Sequence, residues 1–411
     1  MPPSKILIVT TGHLCRNPRV LKEATTLGES GYRVTVLGIC SRKDAAETDL
    51  ALAAKAPFRH TWVDMLGESK SFCSQLTAIS HRAQRRLACE LVARFGFESA
   101  EALGPSAALL STARRIPADL TIVHNEAAHW VGLRLLAEGH RVAADIEDWH
   151  SEDLLPEDRS ARPLNLLRRN EKLLLHQARY ITTTSEALAD GLFARYGGQC
   201  PEVITNSFPL PPLAHDLKRN PKNPPSFFWF SQTIGPGRGL EALFAAYTRV
   251  TQPSRLTLLG QVRDDYRQHL LALLPQHIHH RVRFHGLVSP ETLPRVIAQH
   301  DIGLALESRE PANKDLTISN KLLQYLGAGL AVVATPTKGQ CEVLTRNPQA
   351  GILLNNFDDP QATATALDSL LADPSSLHMR QLAARQLAET HYCWEREAPR
   401  LLKLVERALS S

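Results

Sequence analysis

Cysteine is scarce in this chain and odd in number. The seven cysteines stand at 15, 40, 73, 89, 200, 341 and 393, and no two of them form a C-x-x-C. That pattern excludes a disulfide framework and a thiolate zinc site, and it suits a reducing cytosol. No run approaches the roughly 20 apolar residues that a membrane-spanning helix needs. The opening stretch Met1–Gly12 has one lysine and a short apolar run, without the h-region and small-residue cleavage site of a signal peptide. A full G-x-G-x-x-G is missing, so a nicotinamide dinucleotide site is poorly supported. No H-x-H, C-x-x-C or D-x-D set with ligand spacing stands out beyond one acid cluster at 145–153, so neither a metal nor a cofactor is expected. Excess charge is small, +5 over 411 residues. That is too little to argue for nucleic acid, and it fits an anionic small ligand or an anionic membrane surface. The expected place is the cytoplasm, with room for peripheral contact on the inner face of the membrane.

What the chain does have is a globular composition, 43% hydrophobic and 22% charged, enough for large cores. Short apolar runs alternate with helical patterns throughout. The expected strands are Ile6–Thr10, Val34–Ile39, Leu120–Val123, Val142–Asp145, Tyr180–Thr184 and Val203–Thr205, then Phe227–Phe230, Leu256–Leu259, Val282–Phe284, Ile302–Leu306, Ala331–Ala334 and Ile352–Leu354. Helical stretches such as Pro18–Ser30, Glu171–Arg179 and Leu240–Val250 lie between them. This rhythm predicts an α/β chain of parallel, doubly wound, Rossmann-like sheets. It breaks once, at Ser207–Ser226, where six prolines (209, 211, 212, 221, 224, 225) mark a linker over 207–225. Domains over 1–206 and 226–389 follow, with a ligand expected in the cleft between them and a helical tail over 390–411. One helix, Phe72–Phe95, is amphipathic. Phe72, Leu76, Ile79, Ala83, Leu87, Leu91 and Phe95 share a face, and Arg82, Arg85 and Arg86 stand on another. The ordinary reading packs the apolar face on its own domain and leaves the arginines in water. The alternative is a surface for an anionic membrane or a lipid-linked acceptor.

Five segments carry candidate chemistry. In N320-K321-L-L-Q324-Y-L-G-A-G329, followed by the apolar run Ala331–Ala334 and a glycine-bearing loop at Gly339, polar residues sit at the front of a helix. An anion there would meet free backbone N–H groups. In S231-Q232-T-I-G235-P-G237-R238-G239 a strand runs into a glycine-rich loop, where Arg238 adds a fixed cation for phosphates. Gly12, Arg16 and Arg19 follow the first strand, where glycine lets a backbone approach a ligand. His124, in V123-H124-N125-E126, ends a strand and suits acid–base work or a sugar hydroxyl. The last is D145-I-E147-D148-W149-H150-S-E152-D153, five carboxylates after one strand, which would bind acceptor hydroxyls, a metal, or simply a helix start.

Taken in order, these segments resemble those of GT-B glycosyltransferases, nearest to the retaining family 4 group. The resemblance covers both domains, though each motif is loose. It implies transfer of a sugar from a nucleotide-diphosphate sugar to a saccharide or lipid-linked acceptor, without metal. The N-terminal domain would face the acceptor, the C-terminal domain would hold the donor, and the final helix would cross back to the N-terminal domain. It places His124, Asp148 and Arg238 in catalysis. Gly12, Arg19, Ser231, Gln232, Gly237, Arg238, Glu307, Asn320, Lys321 and Gln324 would hold the donor. Several family features are missing. Leu316 and Gln324 stand where two glutamates eight residues apart are usual, Glu147 replaces a histidine, and Ser231-Gln232 replaces Gly-Arg. Two other readings stay open on the same fold: a nucleotide-sugar epimerase, and a nucleotide-binding protein without turnover.

Overall fold

Two parallel sheets account for the alternation of apolar runs and helices. The structure, a computed structural model, describes residues 2–67, 72–212 and 224–410. Its contacts group Met1–Ile204 with Ala398–Ser411 in a first unit and Thr205–Glu397 in a second. Of the expected linker, 213–223 lies outside the described residues.

The first unit contains β1 (Lys5–Thr10), β2 (Arg33–Cys40), β3 (Arg59–Asp64), β4 (Leu120–His124), β5 (Val142–Ile146), β6 (Ile181–Thr183) and β7 (Glu202–Val203). They pair in the order β3-β2-β1-β4-β5-β6-β7. The second unit contains β8 (Ser226–Ile234), β9 (Arg255–Val262), β10 (Val282–His285), β11 (Ile302–Ala305), β12 (Ala331–Ala334) and β13 (Gly351–Leu353), ordered β10-β9-β8-β11-β12-β13. Every pairing is parallel. Strands β4, β5, β11 and β12 are buried along their whole length, which is why they read as unbroken apolar runs. The pattern missed β3, R59-H-T-W-V-D64. It is an edge strand with β2 as its neighbour, and an edge needs little apolar surface to pair.

Strand order reverses between β1 and β4 in the first unit and between β8 and β11 in the second. In doubly wound sheets, ligands bind outside the carboxyl ends of the strands at such a reversal. The helix Asn320–Ala328 is seated beside β11 by its own sequence. Tyr325 is fully buried, and a Cβ on Gly303 would meet its ring at 2.2 Å, so the glycine makes room for the tyrosine. The helix stops at Gly329 with φ 74°, where the N–H of Leu330 donates to the carbonyl of Tyr325 at 3.0 Å.

Two expectations change. Gly339 lies within the helix Lys338–Arg346 rather than in a loop. Its smallness serves a close approach, since a Cβ there would meet the Thr317 carbonyl oxygen at 2.2 Å. The helix Phe72–Phe95 does not pack its long apolar face inward. It buries the small residues Ala78, Ala88 and Val92, while Leu76, Ile79 and Leu87 are exposed. Short side chains let the helix axis come close to the domain, and that choice turns the longer ones to water.

Candidate functional site

In the first unit, the residues expected at the ligand edge are tied to one another. Arg19 is on the helix Pro18–Glu29, which Asn17 caps by accepting from the N–H of Val20 at 3.0 Å. Its guanidinium Nε donates to both carboxylate oxygens of Asp145 at 2.9 Å, and Nη1 donates to the Ile204 carbonyl at 2.6 Å. Glu23, one turn along the same helix, meets His124 Nε2 at 2.6 Å. Asp145 also lies 3.8 Å from His124 Nδ1 and accepts from Thr182 Oγ1 at 2.6 Å. Arg19 and His124 thus face Asp145 and Glu23 out of water. Burial pulls the pKa of His124 down, but the Glu23 carboxylate, with Asp145 behind it, pushes harder, and the result lies above the ordinary value. Burial pushes Asp145 up, and the charges of Arg19 and His124 bring it below its ordinary value.

Arg19 is therefore not the phosphate contact that the sequence suggests: it is buried and bidentate on Asp145. His124 does end β4, but it is also buried. Its Nε2 is taken up by Glu23 in the interior. Gly12 is half-buried in the loop after β1, its N–H donating to Thr10 Oγ1 at 3.2 Å. The same hydroxyl donates to Asn125 Oδ1 at 2.7 Å. Asn125 holds φ 72° and ψ 168°, a region that costs a non-glycine residue about 1–3 kcal/mol. Strain and tether together mark Asn125 at this edge. His13 pins the same loop. Its Nε2 accepts from the N–H groups of Ser41 and Arg42 at 3.1 and 3.2 Å, so Nδ1 carries the proton and donates to Asp49 at 2.8 Å.

Asp148 is half-buried after β5. Burial raises the pKa of its neighbour Glu147 to about 7, and the charge of Asp148 adds to the rise. Further along, Glu126, His150 and Asp153 are the group among the described residues whose ligand atoms come close enough to hold an ion. Arg162 already bridges Glu126 and Asp153, at 2.8 and 3.2 Å. Burial opposes a charge on His150, yet Glu126 and Asp153 push its pKa up to about 9. Arg162 and His150 thus set charges of the chain's own against Glu126 and Asp153.

In the second unit, charge stays near water. Glu307, just past β11, accepts from Lys321 Nζ at 2.6 Å and from Ser319 Oγ at 2.9 Å on one oxygen. Burial raises its pKa, and the Lys321 charge outweighs that and holds it below its ordinary value. Thr335, after β12, clamps the backbone of Glu307. It accepts the Glu307 N–H at 2.8 Å and donates to its carbonyl at 2.6 Å. Gln340 holds Thr335 in turn, donating to its carbonyl at 2.8 Å. The Lys321 ammonium sits 5.6 Å from the Trp229 ring centroid. Because Ser319 turns its hydroxyl to Glu307, no side chain caps the helix Asn320–Ala328, and its positive end stays open to an anion. Asn320 is exposed at that end, and Gln324 is half-buried a turn further on.

Beside it, Gly237 and Gly239 bend the chain with φ 70° and 72°. Gly239 opens the helix Leu240–Tyr247, again without a side-chain cap. Arg238 between them is exposed. Ser231 and Gln232 lie inside β8 rather than in the loop, Ser231 half-buried and Gln232 exposed. The structure thus joins Glu307 and Lys321, adds Ser319, Thr335, Gln340 and Trp229, and leaves Arg238 extended toward solvent. Ser319 and Thr335 had a sequence signal, a hydroxyl residue just before a helix and just after a strand. Trp229 and Gln340 had none.

Parallel sheets in both units, with open helix N-termini at the second strand-order reversal, define a GT-B architecture. Solved structures share it along nearly the whole chain. One is Alr3699/HepE of Anabaena in complex with UDP (TM-score 0.70, 16% identity, 98% of this chain and 99% of that one). A sucrose-phosphate synthase from Thermosynechococcus elongatus is another (0.68, 14%, 99% and 100%). So is WaaG, a glycosyltransferase involved in lipopolysaccharide biosynthesis (0.61, 13%, 97% and 99%). At such identities the likeness is one of fold. Residues 224–373, within the second unit, match the family described as Glycosyl transferases group 1. A stretch of 145 residues, 35% of this chain, is 24% identical to spore coat protein SA of Bacillus subtilis and spans 36% of that protein.

Proposed function

We propose that this protein transfers a sugar from a nucleoside-diphosphate sugar to a saccharide or lipid-linked acceptor. The donor belongs to the second unit and the acceptor to the first. The observation that carries this reading is the open N-terminus of the helix Asn320–Ala328, with Lys321 and Glu307 paired at 2.6 Å beside it. A diphosphate bound there meets backbone N–H groups and the Lys321 ammonium, and Arg238 can swing in from its glycine-flanked loop. As the bond from sugar to phosphate breaks, negative charge grows on the leaving diphosphate, and these fixed donors stabilise it, each by roughly 2.7–4 kcal/mol if it acts like an oxyanion-hole donor. Glu307, ionised and clamped through its backbone by Thr335, can accept from a sugar hydroxyl or steady the positive charge on the ring.

Retention of configuration and freedom from metal are part of the proposal. The donor edge offers cations and amides, and its carboxylate, Glu307, is already balanced by Lys321. The nucleotide complex of the fold relative HepE supports a nucleoside diphosphate as the leaving group. The test is calorimetric titration with nucleoside diphosphates and their sugars, followed by turnover with and without a saccharide acceptor in EDTA. Binding with acceptor-dependent diphosphate release and retained configuration in the product is expected. Epimerised sugar without acceptor, binding without turnover, or activity restored only by a divalent ion would each reverse part of the reading.

A further inference from the structure

The helix Phe72–Phe95 is inverted relative to an ordinary surface helix, which turns its longer apolar side chains to the core. Here Ala78, Ala88 and Val92 face inward, and Leu76, Ile79 and Leu87 are 51%, 52% and 61% exposed. Ala83 is exposed between them, so positions 76, 79, 83 and 87 form one outward apolar stripe at helical spacing. Phe95, the last residue of the helix, and Phe97 just after it are 70% and 62% exposed. Five of the eleven strongly exposed large apolar side chains among the described residues therefore fall within 76–97. Single exposed leucines need no explanation, and a contiguous group does.

Charge says what covers it. Arg82, Arg85, Arg86 and Arg94 are all exposed on this helix. The one acid among residues 72–95 is Glu90, which pairs with Arg94 at 3.0 Å. Two copies set face to face would bring like charges together with no matching acids. An anionic lipid surface supplies the missing negative charge and takes the leucines and phenylalanines into its headgroup–acyl boundary. We propose that this face docks the protein on an anionic membrane. No helix among the described residues is long and apolar enough to cross one, so the contact is peripheral. Arg82 also anchors the helix, donating to the Met65 carbonyl at 2.7 Å, and Arg85 lies in line with the inward Ala78 and Val92, which leaves Arg86, one heptad on from Ile79, as the cation to test.

Flotation of the full chain with vesicles decides it, and the result does not depend on the transfer reaction. Binding is expected to vesicles containing phosphatidylglycerol, to weaken with salt, and to be minimal with phosphatidylcholine alone. Leu76→Glu/Ile79→Glu/Leu87→Glu should lower the partition by on the order of tenfold or more. Arg86→Gln should lower it by about fivefold, with unchanged melting temperature and nucleotide binding. Absence of wild-type binding, equal binding to both vesicle types, or binding indifferent to either variant overturns the proposal. So does wild-type self-association that the leucine variant abolishes in the absence of lipid binding, because a second copy would then cover the face.

Discussion

Both units place charged residues at the carboxyl edge of a doubly wound sheet, and they use them oppositely. In the first, the side chains of Arg19, Asp145, His124 and Glu23 are 3%, 3%, 1% and 5% exposed and bind one another. In the second, Lys321 and Glu307 are 16% and 21% exposed, and Arg238 is in solvent. The lesson concerns solvent. A charge that has left water completely must be fully partnered inside the protein, and then it has nothing left to offer a ligand. A charge still in reach of water can exchange a partner or a water molecule for a phosphate.

The contrast is broken most strongly at Arg19. Removing it by Arg19→Ala strands Asp145 in the interior, and the expected loss is about 3–5 kcal/mol of first-unit stability. Urea unfolding followed by calorimetry measures it. A loss under 1 kcal/mol, with nucleotide affinity falling instead, would return Arg19 to the ligand site.

Next comes pH. In the fold the pKa of His150 is pushed up to about 9 and that of His124 lies above its ordinary value, whereas unfolded histidine titrates near 6.5. A folded pKa raised above the unfolded value stabilises fully below about 6.5, and that contribution is lost as pH rises through about 9. Its size for His150 is on the order of 3 kcal/mol. First-unit stability should therefore fall between neutral and alkaline pH, and His150→Gln should flatten the slope. An unchanged slope in that variant would remove His150 as the cause. His124→Ala should likewise cost stability while changing nucleotide affinity little, since its Nε2 is paired with Glu23 in the interior.

A smaller free-energy change is expected at Lys321. Lys321→Ala removes a charge-assisted contact to the diphosphate, which corresponds to about tenfold or more in affinity. Being partly exposed, the pair with Glu307 should contribute about 1 kcal/mol or less to stability. Calorimetry on the folded variant tests both halves, and large destabilisation with unchanged affinity would make this pair a strut like that of the first unit. The smallest effect belongs to Arg238→Ala, a loss of a few-fold in diphosphate affinity, because its flexible, solvated side chain must be ordered to bind. Equal affinities would leave the helix N-terminus and Lys321 to hold the phosphates alone.

Local pattern made the fold legible. Strand runs and helix periods depend on neighbours in sequence, so twelve of the thirteen strands among the described residues were expected, and the edge strand β3, with little to bury, was not. The donor segment was legible for the same reason: Asn320, Lys321, Gln324 and the stop at Gly329 lie within one helix and its cap. What separates a ligand-binding charge from a structural one is not local. Arg19 meets Asp145 across 126 positions and His124 meets Glu23 across 101, contacts that the strand order β2-β1-β4-β5 makes possible by bringing the carboxyl ends of β1, β4 and β5 side by side. The inward turn of Ala78, Ala88 and Val92 was hidden similarly, since periodicity reports that a helix has two faces and packing decides which of them meets water. Residue type determined which groups could carry charge, and tertiary burial decided which of them remained free to use it.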